Sequence, residues 1–269
     1  MLLLPRSVDE LVTVLRVLAD FPAIPIVVLG GGANVLVSDS GVRGAVIGTS
    51  SIRGMEIDGD SVSVGAGMTV SDAAWELGRR GRAGLHFLYA MPGSTGGAVW
   101  MNARCYGSEV SDVLESVDLV DFSGRPSTYQ FRKDDFSYKV SPFQSGTSII
   151  VGARFRTWSQ PPELLAEKMV SYRDDRKKKG HFSFPSAGSI FKNDHAFGAP
   201  SGKIIDSLGL RGYRIGDAKI SDDHGNIFVN AGNACARDMH RLIRFVQARV
   251  LDETGFTLEP EVRFLGDWD

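Results

Sequence analysis

The segment Pro185–Asn193 carries the densest group of reactive side chains in the sequence. It places a hydroxyl (Ser189), an ammonium (Lys192) and an amide (Asn193) within five residues. The segment shows no clear helix or strand period, and its proline and Gly188 are typical of a shaped loop. Loops on rigid scaffolds often carry binding and catalytic groups. The alternative interpretation is that Ser189 caps a helix and Lys192 is solvated.

Two glycine-rich segments could bring backbone close to a ligand. Gly30-Gly31-Gly32-Ala33-Asn34 follows a β-branched run, and Pro92–Ala98 opens a predicted helix. Glycines let N–H groups turn toward an anion, and free N–H groups at a helix start favour one. Neither segment matches GxGxxG or GxxxxGK[ST], so a dinucleotide Rossmann unit and a P-loop are not supported. Two such segments favour a large nucleotide cofactor, whereas tight chain packing is the alternative.

Two further sites carry polar groups. Tyr138 and Lys139 lie side by side in an irregular polar segment. In the tail Leu258–Leu265, alternation places Glu261 and Arg263 on one face. An ion pair between these two charges is the structural alternative to a catalytic carboxylate, and such pairs are the commoner case.

The composition excludes several classes of protein. The chain has 269 residues, is 43% hydrophobic and carries a formal net charge of −2, which does not favour nucleic acid or a membrane surface as partner. The two cysteines, Cys105 and Cys235, have no metal or redox spacing and are expected to be free thiols, and no metal site is predicted. No apolar run reaches spanning length. We expect a cytoplasmic protein and, without an obvious exposed apolar stripe, a monomer.

The predicted elements alternate between helix and strand. A capping box at Ser7–Glu10 opens a helix over Val8–Ala19, and Thr69 caps another that ends at Arg80. A helix begins at Glu163, and Asn233 caps a long one that ends at Gly255. The remaining predictions are a helix over Ser201–Leu208 and strands at Ile24–Leu29, Ala45–Ile47, Ser61–Val64, Leu114–Val120, Tyr129–Phe131, Ser148–Phe155, Ile227–Val229 and Leu258–Leu265.

Taken together, these motifs resemble the UDP-N-acetylenolpyruvoylglucosamine reductase (UDP-N-acetylmuramate dehydrogenase) family over nearly the whole chain. The order and spacing of the motifs carry the resemblance more than any one of them. The segments are Gly30–Asp39 (GGGANVLVSD), Met91–Tyr106 (MPGSTGGAVWMNARCY), Tyr138–Gln144 (YKVSPFQ), Ser186–Asn193 (SAGSIFKN) and Leu258–Phe264 (LEPEVRF).

The resemblance implies an α+β fold. An FAD-binding fold of the vanillyl-alcohol-oxidase (PCMH) type in two subdomains is followed by a C-terminal α+β substrate-binding domain. The implied boundaries are residues 1–158 for FAD binding, with subdomains of about 1–50 and 51–158, then 159–256 for substrate binding. Residues 257–269 are expected to return to the active site as a strand.

The resemblance also implies a role for each matching position. Ser189 takes the proton donor's place, Glu261 the catalytic carboxylate's, and Lys139 that of an arginine beside the tyrosine. Substrate contacts are implied for Tyr138, Lys192 and Asn193. The positions implied for FAD are Gly30, Gly31, Gly32, Ala33, Asn34, Pro92, Gly93, Ser94, Gly96, Gly97, Ala98 and Asn102.

Three departures from the family pattern bear on these expectations. Lys139 keeps the positive charge of arginine but loses its planar fork. The segment Ala103-Arg104-Cys105-Tyr106 replaces the usual Ala-Gly-Ala-Tyr pattern beside the flavin, so Arg104 is expected to contribute a cation near the flavin or substrate. A Thr-x-Phe-x-x-Gly-Gly segment ahead of the first helix is missing, so we expect either a trimmed first subdomain or a true start that lies upstream. The chain also resembles the subclass without the tyrosine insertion.

The implied reaction reduces an enolpyruvyl ether to a lactyl ether. Hydride moves from NADPH through FAD to the terminal vinyl carbon of the substrate, and charge builds on the carbon that bears the carboxylate. A preorganised cation, Lys139 helped by Lys192, would stabilise that charge, and Ser189 would supply the proton. Glu261 could orient the donor, bind a water or be protonated itself.

Two other functions remain open from the sequence. One is a non-catalytic flavoprotein that binds a nucleotide sugar, favoured by the departures at Lys139 and Arg104. The other is a flavin oxidase of another substrate, because one fold supports many functions. The Ser186–Asn193 segment and Glu261 count against both.

Overall fold

The computed structural model describes residues 1–268 and divides into two compact units. The first unit comprises Met1–Gly31 and Gly44–Arg173, and the second comprises Gly32–Arg43 and the chain from Asp174 onwards. Asp269, the last residue of the predicted segment 257–269, lies outside the described residues. Among residues 1–268, no helix is both long enough and apolar enough to cross a bilayer.

The described chain alternates short strands with a few longer helices. The helices are α1 (Val8–Ala19), α2 (Val70–Arg79), α3 (Thr95–Trp100), α4 (Pro162–Lys178), α5 (Ser201–Ser207) and α6 (Ala236–Thr254). The strands are β1 (Leu2–Leu3), β2 (Ile26–Leu29), β3 (Val35–Val37), β4 (Ala45–Gly48), β5 (Met55–Asp58), β6 (Ser61–Gly65), β7 (Arg82–Ala83), β8 (Arg104–Cys105), β9 (Ser108–Glu109), β10 (Leu114–Asp121), β11 (Pro126–Gln130), β12 (Ser148–Arg156), β13 (Trp158–Ser159), β14 (Ser186–Ser189), β15 (Arg214–Ile215), β16 (Ala218–Ile220), β17 (Ile227–Asn230) and β18 (Arg263–Leu265).

The first unit contains a small parallel sheet and a larger antiparallel one. The parallel sheet has the order β1-β4-β2, and the antiparallel sheet has the order β11-β10-β12-β6-β5. Helix α1 has the predicted bounds, and Ser7 Oγ accepts from the Glu10 N–H at 3.1 Å. Thr69 caps α2 in the same way, at 3.0 Å from the Asp72 nitrogen. The cap by Thr69 and the serine half of the predicted capping box are therefore confirmed, whereas Glu10 Oε2 accepts from the Arg6 N–H at 2.7 Å instead of the Ser7 N–H.

The second unit is built on a four-stranded antiparallel sheet of order β14-β17-β16-β15. Helix α6 covers a core in which Leu242, Ile243 and Val246 are almost completely buried. Val250 is buried as well, so these residues form one apolar stripe along the helix. A separate parallel pair joins β3 to β18.

The predicted cap of α6 is wrong. The residue at the N-cap is Cys235 rather than Asn233, and its side chain makes no cap hydrogen bond. The carboxylate of Asp39 caps the helix instead, because it accepts from the N–H groups of Ala236 at 2.8 Å and Arg237 at 2.9 Å. These two backbone hydrogen bonds hold the pKa of Asp39 below its usual value.

Two predictions of local structure also fail. The segment Ser186–Ser189 is strand β14 and not an irregular loop. The tail Leu258–Leu265 is not one strand, since only its last three residues form β18. Pro260 has no N–H to donate, and it makes only an isolated bridge to Phe191.

Candidate active site

In the first unit, the two glycine segments pack directly against each other. The Ser94 hydroxyl accepts from the N–H of Gly31 at 3.0 Å and from that of Gly97 at 3.3 Å. A Cβ atom on Gly30 would lie 2.7 Å from Ser94 Oγ, and one on Gly31 would lie 2.8 Å from the Ser94 nitrogen. Only glycine fits at positions 30 and 31, because the two segments approach at backbone distance.

The N–H groups at the start of α3 are already used inside the unit. Thr95 N–H donates to Met68 O at 2.8 Å and Gly96 N–H donates to Ala66 O at 2.9 Å. The Gly97 N–H donates to the Ser94 hydroxyl, which caps the helix. The expectation that these N–H groups are free to hold an anion is therefore wrong. An anion bound by this segment must use groups that precede Thr95.

The same segments leave a backbone surface without side chains above it. Gly97 is exposed, and a Cβ atom there would approach only Ser94 Oγ, at 3.3 Å. Gly32, where the chain enters the second unit, has a φ of +68° and open space around its missing side chain. Among the other predicted cofactor positions, Pro92 is exposed and Ala98 is buried. A surface of this kind suits close approach of a large planar or phosphorylated cofactor, so the residues present fit FAD.

Tyr138 and Lys139 are the two central residues of a tight turn in the first unit. The N–H and C=O groups of Ser137 and Val140 pair with each other, at 3.2 and 3.0 Å. Lys139 has a φ of +60°, in the left-handed region that non-glycine residues rarely adopt. The turn therefore stores local strain and must be held by its surroundings.

Three side chains hold this turn in place. Asn102 Nδ2 donates to Ser137 O at 3.0 Å, and Gln144 Nε2 donates to Lys139 O at 2.9 Å. Gln144 also donates to Trp100 O at 3.0 Å, and Ser141 Oγ donates to the same carbonyl at 2.7 Å. The cationic turn is in this way tied to the end of α3.

Asn102 is the centre of this arrangement. It is completely buried, has a φ of +42°, and accepts from the Ser111 N–H at 3.0 Å through Oδ1. Both ends of its amide thus bind backbone of the first unit. We expected Asn102 at the FAD, and that contact stays a prediction. The hydrogen bonds give the residue a positioning role.

In the second unit, Ser189 is the last residue of the edge strand β14. The strand pairs with β17 through Ser186↔Val229 and Ser189↔Ile227, so two residues, Ala187 and Gly188, are opposed by one, Phe228, and a bulge results. Gly188 sits in the bulge with a φ of +74°. A bulge re-aims the following side chain, and here that side chain is the Ser189 hydroxyl.

The backbone just after Ser189 is gripped by Asn226. Its Oδ1 accepts from the Phe191 N–H at 2.9 Å and its Nδ2 donates to Phe191 O at 2.8 Å. Asn226 is 3% exposed and Phe191 is 1% exposed. The Asn226 N–H in turn donates to Nδ1 of His224 at 3.1 Å. Burial lowers the pKa of His224, which keeps the imidazole neutral and able to accept this bond.

The structure brings Ser189 and Glu261 onto neighbouring backbone segments of the second unit. The Glu261 N–H donates to Ile190 O at 2.7 Å. Asn34 fixes the other side of the tail, because its Nδ2 donates to Glu261 O and its carbonyl accepts from the Arg263 N–H, both at 3.0 Å. Asn34 was predicted at the cofactor. In the structure its amide holds the residue predicted as the catalytic carboxylate.

The two predicted substrate residues of this unit have structural partners. Lys192 Nζ lies 2.6 Å from Glu259 Oε1, so its charge is matched by a carboxylate. Asn193 Oδ1 accepts from the Ser201 N–H at 3.0 Å and thereby satisfies the start of α5. Neither contact tests the predicted binding of substrate, which stays a prediction.

Sequence reasoning missed the residues that position these groups. Asn226 follows a His-Gly pair and precedes a β-branched strand, a context without any motif. Ser141 and Gln144 lie inside the Tyr138–Gln144 motif, but their spacing does not reveal which carbonyls they bind. Asp39 ends the first quoted segment, and an acidic residue there gave no indication of a cap nearly 200 residues away.

Comparisons with known proteins agree with this architecture. Residues 1–128 match the model of an FAD binding domain, and residues 180–265 match that of the UDP-N-acetylenolpyruvoylglucosamine reductase C-terminal domain. The predicted fold class is confirmed: an FAD-binding fold is followed by a C-terminal α+β domain.

Individual relatives match over nearly the whole chain. The UDP-N-acetylenolpyruvoylglucosamine reductase of Borrelia garinii is 35% identical, with 98% of this chain and 86% of the relative covered. That of Treponema denticola is 41% identical over 89% of this chain and 80% of its own. The crystal structure of the Thermus caldophilus enzyme superposes with a TM-score of 0.81 at 34% identity and covers 98% of this chain and 91% of its own. With this identity over almost its full length, the chain belongs to the UDP-N-acetylenolpyruvoylglucosamine reductase family.

Proposed function

We propose that the chain reduces the enolpyruvyl group of UDP-N-acetylglucosamine enolpyruvate and so forms UDP-N-acetylmuramate, a peptidoglycan precursor. Family membership supports the substrate class. The observation that carries the mechanism is the hydrogen bond from the Glu261 N–H to Ile190 O, which sets the carboxylate residue beside the Ser189 segment. Net addition of one hydride and one proton converts the CH₂=C group into CH₃–CH, with no other bond broken.

Residues of the glycine segments are the proposed FAD site, with Gly30, Gly31, Gly93 and Gly97 supplying backbone that carries no side chain of its own. FAD, when bound, supplies the means to take a hydride from NADPH and pass it to the terminal carbon of the enolpyruvyl group. The first N–H groups of α3 all donate within the protein, so they are not proposed to bind the FAD diphosphate. Their hydrogen bonds instead keep the glycine segment rigid, which allows FAD to approach its backbone closely.

Lys139 is the proposed electrostatic group. Once hydride reaches the terminal carbon, negative charge spreads from the neighbouring carbon into the carboxylate. A cation fixed before the reaction stabilises such charge without reorganisation in the transition state. The turn that carries Lys139 is fixed at Ser137 O and at its own carbonyl, as that role requires.

Ser189 is the proposed proton donor to the carbon that bears the ether oxygen and the carboxylate. A hydroxyl is a weak acid, but an enolate-like carbon is basic enough to take its proton when the geometry is held. The bulge at Gly188 and the grip of Asn226 on Phe191 provide that geometry from both sides of Ser189. We assign Glu261 to the same proton transfer, either orienting the donor, binding a water or carrying the proton.

The remaining assignments complete the proposal. Tyr138, Lys192 and Asn193 contact the nucleotide sugar. The functional division into residues 1–158, 159–256 and 257–269, a cytoplasmic location and a monomeric state are retained as proposals.

The test is a coupled assay on the purified protein loaded with FAD. We expect NADPH to be consumed beyond the one equivalent that reduces the bound flavin only when the enolpyruvyl nucleotide sugar is present, with each further NADPH giving one equivalent of a product that is heavier by two hydrogens. UDP-N-acetylglucosamine, which lacks the enolpyruvyl group, is the control and should cause no consumption. Consumption of NADPH with oxygen but without this product would indicate an oxidase and overturn the proposal.

A further inference from the structure

Arg104 is a cation that the proposed reaction has not used. It begins the two-stranded hairpin of β8 and β9, in which Arg104 pairs with Glu109 and Cys105 with Ser108. The two residues of the turn, Tyr106 and Gly107, have φ values of +51° and +82°. Positive φ at both central residues is the mark of a type I′ turn, the tightest connection of a hairpin.

The hairpin is anchored at positions other than Arg104. Cys105 Sγ donates to Phe87 O at 2.8 Å. The Tyr106 ring stacks on the ring of Tyr172 at 3.9 Å, and its hydroxyl donates to Tyr172 O at 2.8 Å. The exposed guanidinium of Arg104 is therefore carried by a fixed backbone.

The guanidinium of Arg104 makes no ion pair with any of the residues that the structure describes. Its cross-strand neighbour Glu109 instead accepts from the Ser111 hydroxyl at 2.9 Å and from the backbone in a capping box. An arginine that is held in position but left without a counter-charge suits a ligand that brings one.

Arg132 shows what a satisfied arginine in the same unit looks like. Its guanidinium carbon lies 5.8 Å from the Tyr129 ring centre, and its Nε is 3.0 Å from Asp135 Oδ2. Arg104 has the same relation to an aromatic ring, at 5.9 Å from the centre of Tyr138, but lacks the carboxylate. The two sites therefore differ in that Arg132 has a carboxylate partner among the described residues and Arg104 does not.

Arg104 shares its aromatic partner with Lys139. The Lys139 Nζ lies 6.0 Å from the same Tyr138 ring centre. The guanidinium of Arg104 and the ammonium of Lys139 therefore lie near the same aromatic ring.

We propose that Arg104 and Lys139 together bind the carboxylate of the enolpyruvyl group, with Arg104 supplying the planar fork that a lysine lacks. The proposal rests on the proposed function and adds a substrate-binding residue to it. A guanidinium matches a carboxylate with two parallel hydrogen bonds, whereas an ammonium acts as a point charge. The arginine on the β8–β9 hairpin thus complements the lysine on the turn.

The test compares two ligands that differ in the carboxylate. UDP-N-acetylmuramate carries it, and UDP-N-acetylglucosamine does not, while both carry the diphosphate. In Arg104→Gln we expect the Kd for UDP-N-acetylmuramate to rise about 10- to 100-fold and the Kd for UDP-N-acetylglucosamine to stay unchanged. Arg104→Lys keeps the charge but not the planar fork, so it should raise the Kd for UDP-N-acetylmuramate by a smaller factor. Arg132→Gln is the matched control and should change neither.

Each other outcome overturns the proposal. Equal weakening of both ligands would place Arg104 at the diphosphate, and unchanged binding of both would remove it from the site. These results are read against wild-type protein that turns over the enolpyruvyl substrate. If the wild type neither turns over the enolpyruvyl substrate nor binds UDP-N-acetylmuramate, the proposed function itself fails. Flavin content and the unfolding midpoint of Arg104→Gln establish that the variant is folded.

Discussion

The two units hold their reactive side chains by different means. In the first unit, Lys139 lies on a tight turn with a left-handed residue, and the neighbouring Asn102 and Tyr106 are left-handed as well. In the second unit, Ser189 ends a strand of a regular sheet, and the only left-handed residue beside it is a glycine. Both units nevertheless rely on one buried asparagine, Asn102 in the first and Asn226 in the second.

The difference concerns where strain is stored. Each non-glycine residue in the left-handed region costs about 1–2 kcal/mol, which the surrounding hydrogen bonds must offset. The stability of the first unit should therefore change when a left-handed residue is replaced by one that tolerates positive φ better or worse. In the second unit the residue with positive φ beside Ser189 is Gly188, which adopts this conformation at little cost. The stability of this unit should therefore depend mainly on its side-chain hydrogen bonds.

The largest effect is expected for Ser189→Ala. Removing the proton donor should slow the transfer to the enolpyruvyl substrate by about 10²- to 10⁴-fold. Reduction of the flavin by NADPH should be nearly unchanged, because that step needs no proton from the second unit. Rapid mixing measures the two steps separately. Ser186→Ala, on the same strand, is the control, and equal loss of both steps would contradict the assignment.

Asn226→Ala comes next. It leaves the N–H and C=O of buried Phe191 without partners, which should lower the free energy of unfolding by about 2–5 kcal/mol. The substrate step should also slow, since the segment after Ser189 loses its anchor. Chemical denaturation and rapid mixing provide the two readouts. Asn230→Ala is the control. The side chain of Asn230 accepts from the N–H groups of the nearby residues Gly232 and Ala234, so its loss should leave the substrate step unchanged.

The first unit can be tested by two substitutions at Asn102. Both Asn102→Ala and Asn102→Gly remove its bonds to Ser137 O and Ser111 N, but glycine tolerates a φ of +42°. Asn102→Ala should thus be less stable than Asn102→Gly by about 1 kcal/mol, as judged by denaturation midpoints. If the two variants are equally stable, left-handed strain is not a feature of this unit.

A smaller effect is expected from acid. Burial, then the nearby charge of Arg176, lowers the pKa of His181 to about 4, and burial also lowers the pKa of His224. Above pH 6.5, the usual histidine value, both are neutral in the folded and unfolded states. As the pH falls from 6.5 toward 4, the unfolded state takes up protons that the folded state does not, so stability decreases.

Thermal denaturation across this pH range measures the effect. His181→Asn should flatten the dependence, whereas the same change at the exposed His195 should leave it as in the wild type. Protonation of His224, whose pKa burial lowers, removes the acceptor for the Asn226 N–H, so the substrate step should slow once the pH is low enough to charge this histidine.

Local patterns were the part of the fold that the sequence predicted well. Helix α1 begins and ends where the apolar period and Ser7 indicated, because both signals lie within the helix itself. The family motifs likewise identified Ser189, Glu261 and Lys139 as candidates. Their partners could not be predicted in this way, since Asn34 binds Glu261 O across a separation of 227 residues.

Irregular strands were the other failure. The period of β14 is interrupted by the bulge at Gly188, so alternation gave no signal. The short strand β3 was missed because it gains its stability from pairing with β18 at the far end of the chain. The Gly30–Asp39 segment therefore serves both units, with its first glycines in one and Asn34 to Asp39 in the other.

An anaerobic experiment on the wild-type protein, followed by the flavin spectrum, tests both hydride transfers directly. NADPH is added first, and the enolpyruvyl nucleotide sugar is added after the flavin has bleached. The account predicts bleaching and then full recovery of the oxidised spectrum with one equivalent of substrate. Bleaching without recovery, in a protein whose Ser189 and Glu261 are intact, would contradict it.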